Sequence, residues 1–166
     1  SIAREPARQA AVIPPGTDRA AALLNGAKRV LLYAGHGARQ AGAALVELAE
    51  KLGAPVATTI QGKGVFPEHH PLWLWCGLGG TVPATLRDVA AGCDAMLAIG
   101  ARFSEVGTGS YGFTPPATVV HVDINPAVFN RNVPATLADS LQRLRDTPHQ
   151  QVAAAPDKRR AAPVRG

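Results

Sequence analysis

A chain of 166 residues, 46% hydrophobic and 17% charged, is long enough for one domain with a real core and short for two. Its formal net charge is +5, but Lys158, Arg159, Arg160 and Arg165 against Asp157 carry +3 of that within the last sixteen residues, leaving +2 for the rest. The charge belongs to a tail with no aromatic interleaving, so nucleic acid is not an expected partner, and no apolar run approaches the ~18 residues of a membrane span.

The first residues, Ser1-Ile2-Ala3, read as an internal start, as in a piece of a larger protein, or as a tag remnant. Residues 1–15, with Pro6, Pro14 and Pro15 and no apolar period, read as an extended linker. Gly16-Thr17-Asp18 then supplies an N-cap for a short helix over 19–24, closed by Asn25-Gly26. The apolar run 29–34 is too short for a helix and reads as a strand buried on both faces, ending in Gly35-His36-Gly37. A helix is predicted over 38–52, with Ala41, Ala44, Leu45, Leu48, Ala49 and Leu52 on one face and Gly53 as its stop.

A second strand over 55–59 enters an irregular stretch, 61–71, of a length that usually serves function or an interface. Trp73 and Trp75 follow and are expected to be exposed, on a surface that meets a neighbour. Beyond Gly77, Gly79 and Gly80 comes a helix over 83–91, then a third strand over 94–99 ending in Gly100, and a glycine-rich loop over 101–112. The fourth strand spans 118–124, and Asn125-Pro126 turns out of it. Residues 135–138 read as a short edge strand, 140–145 as a helix and 148–166 as a disordered basic tail. Strands alternating with helices imply a parallel sheet with right-handed crossovers: a three-layer, doubly wound α/β domain of five to six strands over 16–147.

A strand, a glycine turn and a helix start would bring backbone N–H groups and a helix N-terminus together at the carboxyl edge of that sheet, where a phosphate is stabilised. Gly35-His36-Gly37 is half of a dinucleotide fingerprint, yet Gln40 stands where the third glycine belongs, and Thr58-Thr59-Ile60 offers no ribose-binding acid. The pair serves equally well as simple turn geometry. Gly62-Lys63-Gly64 has no Ser or Thr after its lysine and is not a phosphate loop. His69-His70 has no Asp or Cys at metal spacing, and Cys76 and Cys93 match no C-x-x-C pattern. Two reduced thiols in a cytoplasmic protein are the expectation.

Arg102, directly after the third strand, could hold a phosphate in bidentate fashion or pair with Glu105 or Asp123. Asp123, ending the fourth, could accept from a ribose or an adenine or close an Asx turn before Pro126. His121 reads as a hydrogen-bonded structural residue.

Five landmarks in order carry a family resemblance: the strand and turn from Lys28 to Gly37; Gly53-Ala54-Pro55-Val56-Ala57-Thr58-Thr59; Gln61-Gly62-Lys63-Gly64 with Phe66-Pro67-Glu68-His69-His70-Pro71; the strand from Asp94 with Gly100-Ala101-Arg102-Phe103; and Val120-His121-Val122-Asp123-Ile124-Asn125-Pro126. Over residues 18–139 the chain resembles the central domain of thiamine-diphosphate-dependent enzymes of the acetolactate synthase, pyruvate oxidase and benzoylformate decarboxylase group. The resemblance implies a Rossmann-like, DHS-like nucleotide-binding domain with a six-stranded parallel sheet. It also implies a parent enzyme of three α/β domains acting on a 2-oxo acid, homo-oligomeric at full length, with thiamine diphosphate and Mg²⁺ held by the other two domains.

In some members this domain holds the ADP part of FAD, in a decarboxylase relative it holds ADP, and in others it is purely architectural. Carried over residue by residue, the flavin-contacting positions are Gly35, His36, Gly37, Thr59, Ile60, Gln61, Gly77, Leu78, Gly100, Ala101, Arg102, Asp123 and Ile124. Two features depart from the acetolactate synthases. Ser104-Glu105-Val106 replaces their acidic residues and second arginine, and their last strand shrinks to Ala135-Thr136-Leu137-Ala138-Asp139. No Gly-Asp-Gly metal anchor occurs, so no catalytic or metal residue is assigned and no turnover is expected from the chain alone. A free-standing module for an ADP-containing ligand and a basic-tailed interaction protein are the competing readings.

Overall fold

The structure, a computed structural model, describes residues 16–140. Six strands form one sheet: β1 (Val30–Ala34), β2 (Val56–Thr58), β3 (Trp73–Cys76), β4 (Ala95–Ile99), β5 (Thr118–Asp123) and β6 (Leu137–Ser140). Their order is β3-β2-β1-β4-β5-β6, and every neighbouring pair is parallel. β1 is buried along its whole length because it lies at the centre with helices on both sides.

Helices α1 (Thr17–Gly26) and α2 (Gly42–Leu52) cover one face, where Leu24, Leu45 and Ala49 pack on Val30, Leu32, Val56, Leu97 and Val120. Helix α3 (Ala84–Ala91) covers the other, with Ala90 in a cluster of Leu31, Tyr33, Met96, Ala98 and Val119. Alternate residues of each central strand feed the two clusters, as a two-unit side-chain period requires. The three-layer, doubly wound fold is therefore present, with the sheet order reversing between β1 and β4.

Four local expectations need correction. The predicted helix over 38–52 is broken: a 3-10 helix (His36–Ala41) precedes α2, and Ala41 and Ala44 face solvent, leaving Leu45 and Ala49 with half-buried Val46, Leu48 and Leu52 as the packed face. The first turn winds tightly because Gly37 is pinned to the loop after β4, its N–H donating to the Gly100 carbonyl at 3.3 Å. Helix α1 starts at Thr17 without a side-chain cap; Gly16, at φ 102, makes the turn.

Trp73 and Trp75 are half-buried in an additional edge strand, β3; Trp73 packs on the α2-side core and their rings lie 5.8 Å apart. The last strand lies at Leu137–Ser140, in register Val120 to Leu137 and Asp123 to Ser140, so Ser140 extends the sheet where a helix was expected. The expected linker over 1–15, the rest of that helix and the tail over 148–166 lie outside the described residues.

Candidate functional site

The carboxyl ends of all six strands form one rim, and the loops after β1, β2, β3 and β4 are each clamped to a neighbouring strand. Gly35 N–H donates to Ile99 O (2.8 Å), Thr59 N–H to Ala34 O (2.9 Å), Gly77 N–H to Thr58 O (2.7 Å) and Gly100 N–H to Val122 O (2.8 Å). The sheet ladder thus continues one residue into these four loops. These four N–H groups are engaged by carbonyls and are not open to an anion.

The two glycine turns on either side of the switch point lie backbone against backbone. A Cβ on Gly35 would sit 2.1 Å from the Gly100 carbonyl oxygen, and one on Gly100 would sit 2.5 Å from Gly37 Cα. Gly100 also has φ +59. The Gly35-His36-Gly37 pair therefore serves close approach, which closes the switch point itself and displaces open space to one side. A second contact of this kind, Gly79 on Gly109, seats the loop after β4 over β3: a Cβ on Gly79 would lie 2.3 Å from Gly109 Cα. Sequence reasoning gave Gly109 no role, since its partner lies thirty residues away.

Beside the closed point lies an open cleft lined by His36, Gly37, Arg39 and Gln40. Arg102 is exposed two residues beyond Gly100 and makes no ion pair with Glu105 or Asp123, among the described residues. Arg39 and Arg102, both exposed, give this part of the rim a cationic character. Ile60 and Ile124, 53% and 50% exposed, offer apolar surface. Asp123 is 7% exposed, and its Oδ1 accepts from Asn125 N–H at 2.8 Å, the Asx turn expected before Pro126.

The remaining candidates lie lower. Thr59 Oγ1 accepts from Gly62 N–H, Gln61 is exposed beside it, and Gly77, Leu78 and Ala101 are buried, the last two within the α3-side core. All thirteen candidate positions lie at the carboxyl ends of β1 to β5: twelve follow a strand and Asp123 is the last residue of β5.

His121 is fully buried on β5. Its Nε2 donates to Ala101 O at 2.8 Å, and its ring makes edge contacts with Phe103 and Phe129. Burial holds its pKa below the ordinary imidazole value, while the Ala101 carbonyl and Asp123 pull the other way. Nδ1 has no hydrogen-bond partner among the described residues, and through the Nε2 bond His121 supports the loop after β4.

His70 is likewise structural: Nδ1 accepts from Leu72 N–H, and Nε2 lies 3.2 Å from Glu50 Oε1 on α2. Among the described residues no three His, Cys, Asp or Glu side chains gather where they could hold a metal ion. No helix there is long and apolar enough to cross a membrane.

Comparison with known proteins gives a consistent family. Residues 17–145 match the model of the thiamine pyrophosphate enzyme central domain. The chain is 42% identical over 140 residues to a probable acetolactate synthase large subunit of Methanocaldococcus jannaschii, covering 80% of this chain and 23% of that protein. It is 40% identical over 124 residues to the corresponding probable subunit of Methanococcus aeolicus, covering 72% and 20%, and 37% identical over 148 residues to the acetolactate synthase of Arthrospira platensis, covering 78% and 25%. The chain thus spans a fifth to a quarter of the length of these relatives.

Proposed function

The chain belongs to the thiamine pyrophosphate enzyme central-domain family, and from that premise we propose that it is the middle domain of an acetolactate synthase-like enzyme acting on 2-oxo acids. In this reading it is a rigid spacer between two catalytic domains, and its carboxyl rim takes the ADP portion of FAD, or ADP itself. The cleft lined by His36, Gly37, Arg39 and Gln40, with exposed Arg102, Ile60 and Ile124 on other loops at the carboxyl edge of the same sheet, is the observation that supports the nucleotide part.

The residues present fit such a ligand. Arg39, Arg102 and His36 would face the diphosphate, the Asp123 carboxylate a ribose hydroxyl, and Ile60 or Ile124 the adenine face, with Gln61 at the lip. Gly35, Gly37, Gly77, Gly100, Thr59, Leu78 and Ala101 would set backbone positions beneath it. Thiamine diphosphate with Mg²⁺, held by the flanking domains, would supply the chemistry of 2-oxo acid decarboxylation and transfer; no step of it belongs to this domain's side chains. Full-length homo-oligomers and a cytoplasmic setting complete the reading, and free Cys76 and Cys93 fit a reducing compartment.

Isothermal titration of the 166-residue chain with FAD, ADP and NAD tests the ligand. Heat with FAD and ADP is expected, with NAD, which carries the same adenosine diphosphate group, as the comparison for the rest of the cofactor, and Arg102→Ala should weaken binding by about tenfold, the loss of one charge-assisted contact of roughly 1.4 kcal/mol. Silence with all three leaves the architectural role.

A further inference from the structure

Arg102 sits between two left-handed residues. Gly100 stands two positions before it at φ 59, and Phe103 follows it at φ 48, a backbone that is costly for a bulky aromatic residue. A residue held in that way persists only where its surroundings over-determine it. Phe103 is 1% exposed, stacks on Tyr33 with ring centres 5.5 Å apart, and meets the His121 ring edge-on at 5.1 Å.

Side chains from β5 and the loop after it take the three backbone carbonyls around the arginine. His121 Nε2 donates to Ala101 O at 2.8 Å, while Asn132 Nδ2 donates to Phe103 O at 3.0 Å and reaches Arg102 O at 3.4 Å. Asn132 is itself anchored. Val133, next in the chain, is buried in the same cluster as Phe103. Asn130, at φ 57, accepts from Ala135 N–H at 2.8 Å through its Oδ1 and so closes the turn that presents Asn132. Asparagine is among the few non-glycine residues that adopt such a turn at low cost.

Asn132 is exposed, yet its amide is turned onto the backbone of the segment that carries Arg102. A guanidinium meets a diphosphate through a planar fork, which rewards a fixed stem: freedom already removed before binding does not have to be removed by it. Sequence reasoning gave Asn132 no role, because its partner carbonyls lie about thirty residues earlier in the chain.

We propose that Asn132 is a positioning residue for the arginine that meets the diphosphate: it clamps the left-handed turn at Phe103 and thereby sets where the Arg102 guanidinium stands at the rim. This role rests on the reading of the rim as the site for the ADP portion of a nucleotide, and adds to it a residue that acts through another. His121 holds the same segment from the buried side, but it also fills the interior; Asn132 lies outside it, so its effect on binding separates from folding.

Isothermal titration of the 166-residue chain with ADP compares the parent with Asn132→Ala, Arg102→Ala and the two combined. Asn132→Ala is expected to weaken ADP about three- to tenfold. The combined variant should bind no more than about twofold weaker than Arg102→Ala alone, because a residue that acts only through the guanidinium has nothing left to act on. In the ligand-free chain, hydrogen exchange over 102–109 should quicken several-fold in Asn132→Ala, while 84–91 on α3 keeps its rate.

Equal ADP affinity in the parent and Asn132→Ala overturns the proposal and leaves the nucleotide reading standing, as does unchanged exchange over 102–109. Losses that multiply in the combined variant overturn it too, since Asn132 would then contact the ligand itself. A melt of Asn132→Ala that is no longer cooperative overturns it by making Asn132 a residue of the fold. A parent chain silent to both ADP and FAD overturns the nucleotide reading, and the positioning role with it.

Discussion

The glycines of the rim show how a single missing Cβ can decide a fold. Gly35→Ala places a methyl 2.1 Å from a carbonyl oxygen that is itself part of a fixed loop, so neither side can give. We expect a loss of about 3 kcal/mol or more by urea denaturation, and a similar loss for Gly100→Ala, which adds a left-handed φ. Gly80→Ala, with open space around it, should stay within about 0.5 kcal/mol and serves as the control. In the sequence, the Gly35 and Gly100 turns were legible as rim turns, but not the contact between them, because nothing local to either motif encodes a partner more than sixty residues away.

His121 makes a second prediction at this scale. Its folded pKa lies below its unfolded one, so the unfolded chain binds the extra proton first; stability is complete above about pH 6.5 and declines as pH falls below it. Thermal melts from pH 7.5 to 5 should show that decline. His121→Leu should flatten it, at a constant cost of about 1–3 kcal/mol for the unpaired Ala101 carbonyl.

Elements were legible in proportion to how much of their signal is local. β1 and β4 are continuous apolar runs bounded by a charged residue and a glycine, β5 is a valine-rich run around His121, and the expected limits of all three hold to within a residue. β3 escaped notice because two tryptophans side by side with Leu74 read as surface; what makes them a strand is β2, through Trp73 paired with Val56 and Trp75 with Ala57 around a bulge. The split before α2 was hidden for the opposite reason, since Ala41 and Ala44 complete a helical period that the pinned Gly37 then interrupts.

One contact that joins elements is testable directly. The Asp94 carboxylate accepts from Lys28 N–H at 2.9 Å and Arg29 N–H at 2.8 Å, tying the start of β4 to the start of β1, and these bonds hold its pKa below the usual carboxylate value. Its contribution is present above the unfolded value of about 3.9 and is lost as pH falls through the folded one. Asp94→Asn should lower the melting temperature at pH 7 and shrink the gap to the parent chain below pH 3.

At the scale of the whole molecule, the described sheet begins after α1 and runs to Ser140. Among the described residues both core clusters are filled by residues between Ala20 and Leu137. The ends of the domain meet at Gly16 and Asp139, the geometry of a unit that can sit inside a longer chain without disturbing its neighbours. Such a unit should fold without what lies on either side.

A polypeptide of residues 16–145 is therefore expected to unfold in one cooperative step, followed by Trp73 and Trp75 fluorescence, with a midpoint within a few degrees of the 166-residue chain. Rejoining residue 140 to residue 16 through a short glycine linker and opening the chain at exposed Gly80-Thr81 should preserve that transition, since no strand pairing is cut. A broad, non-cooperative melt of the 16–145 polypeptide would mean that the core depends on contacts from outside these limits, and the domain would then be a part of its neighbours and not a spacer between them.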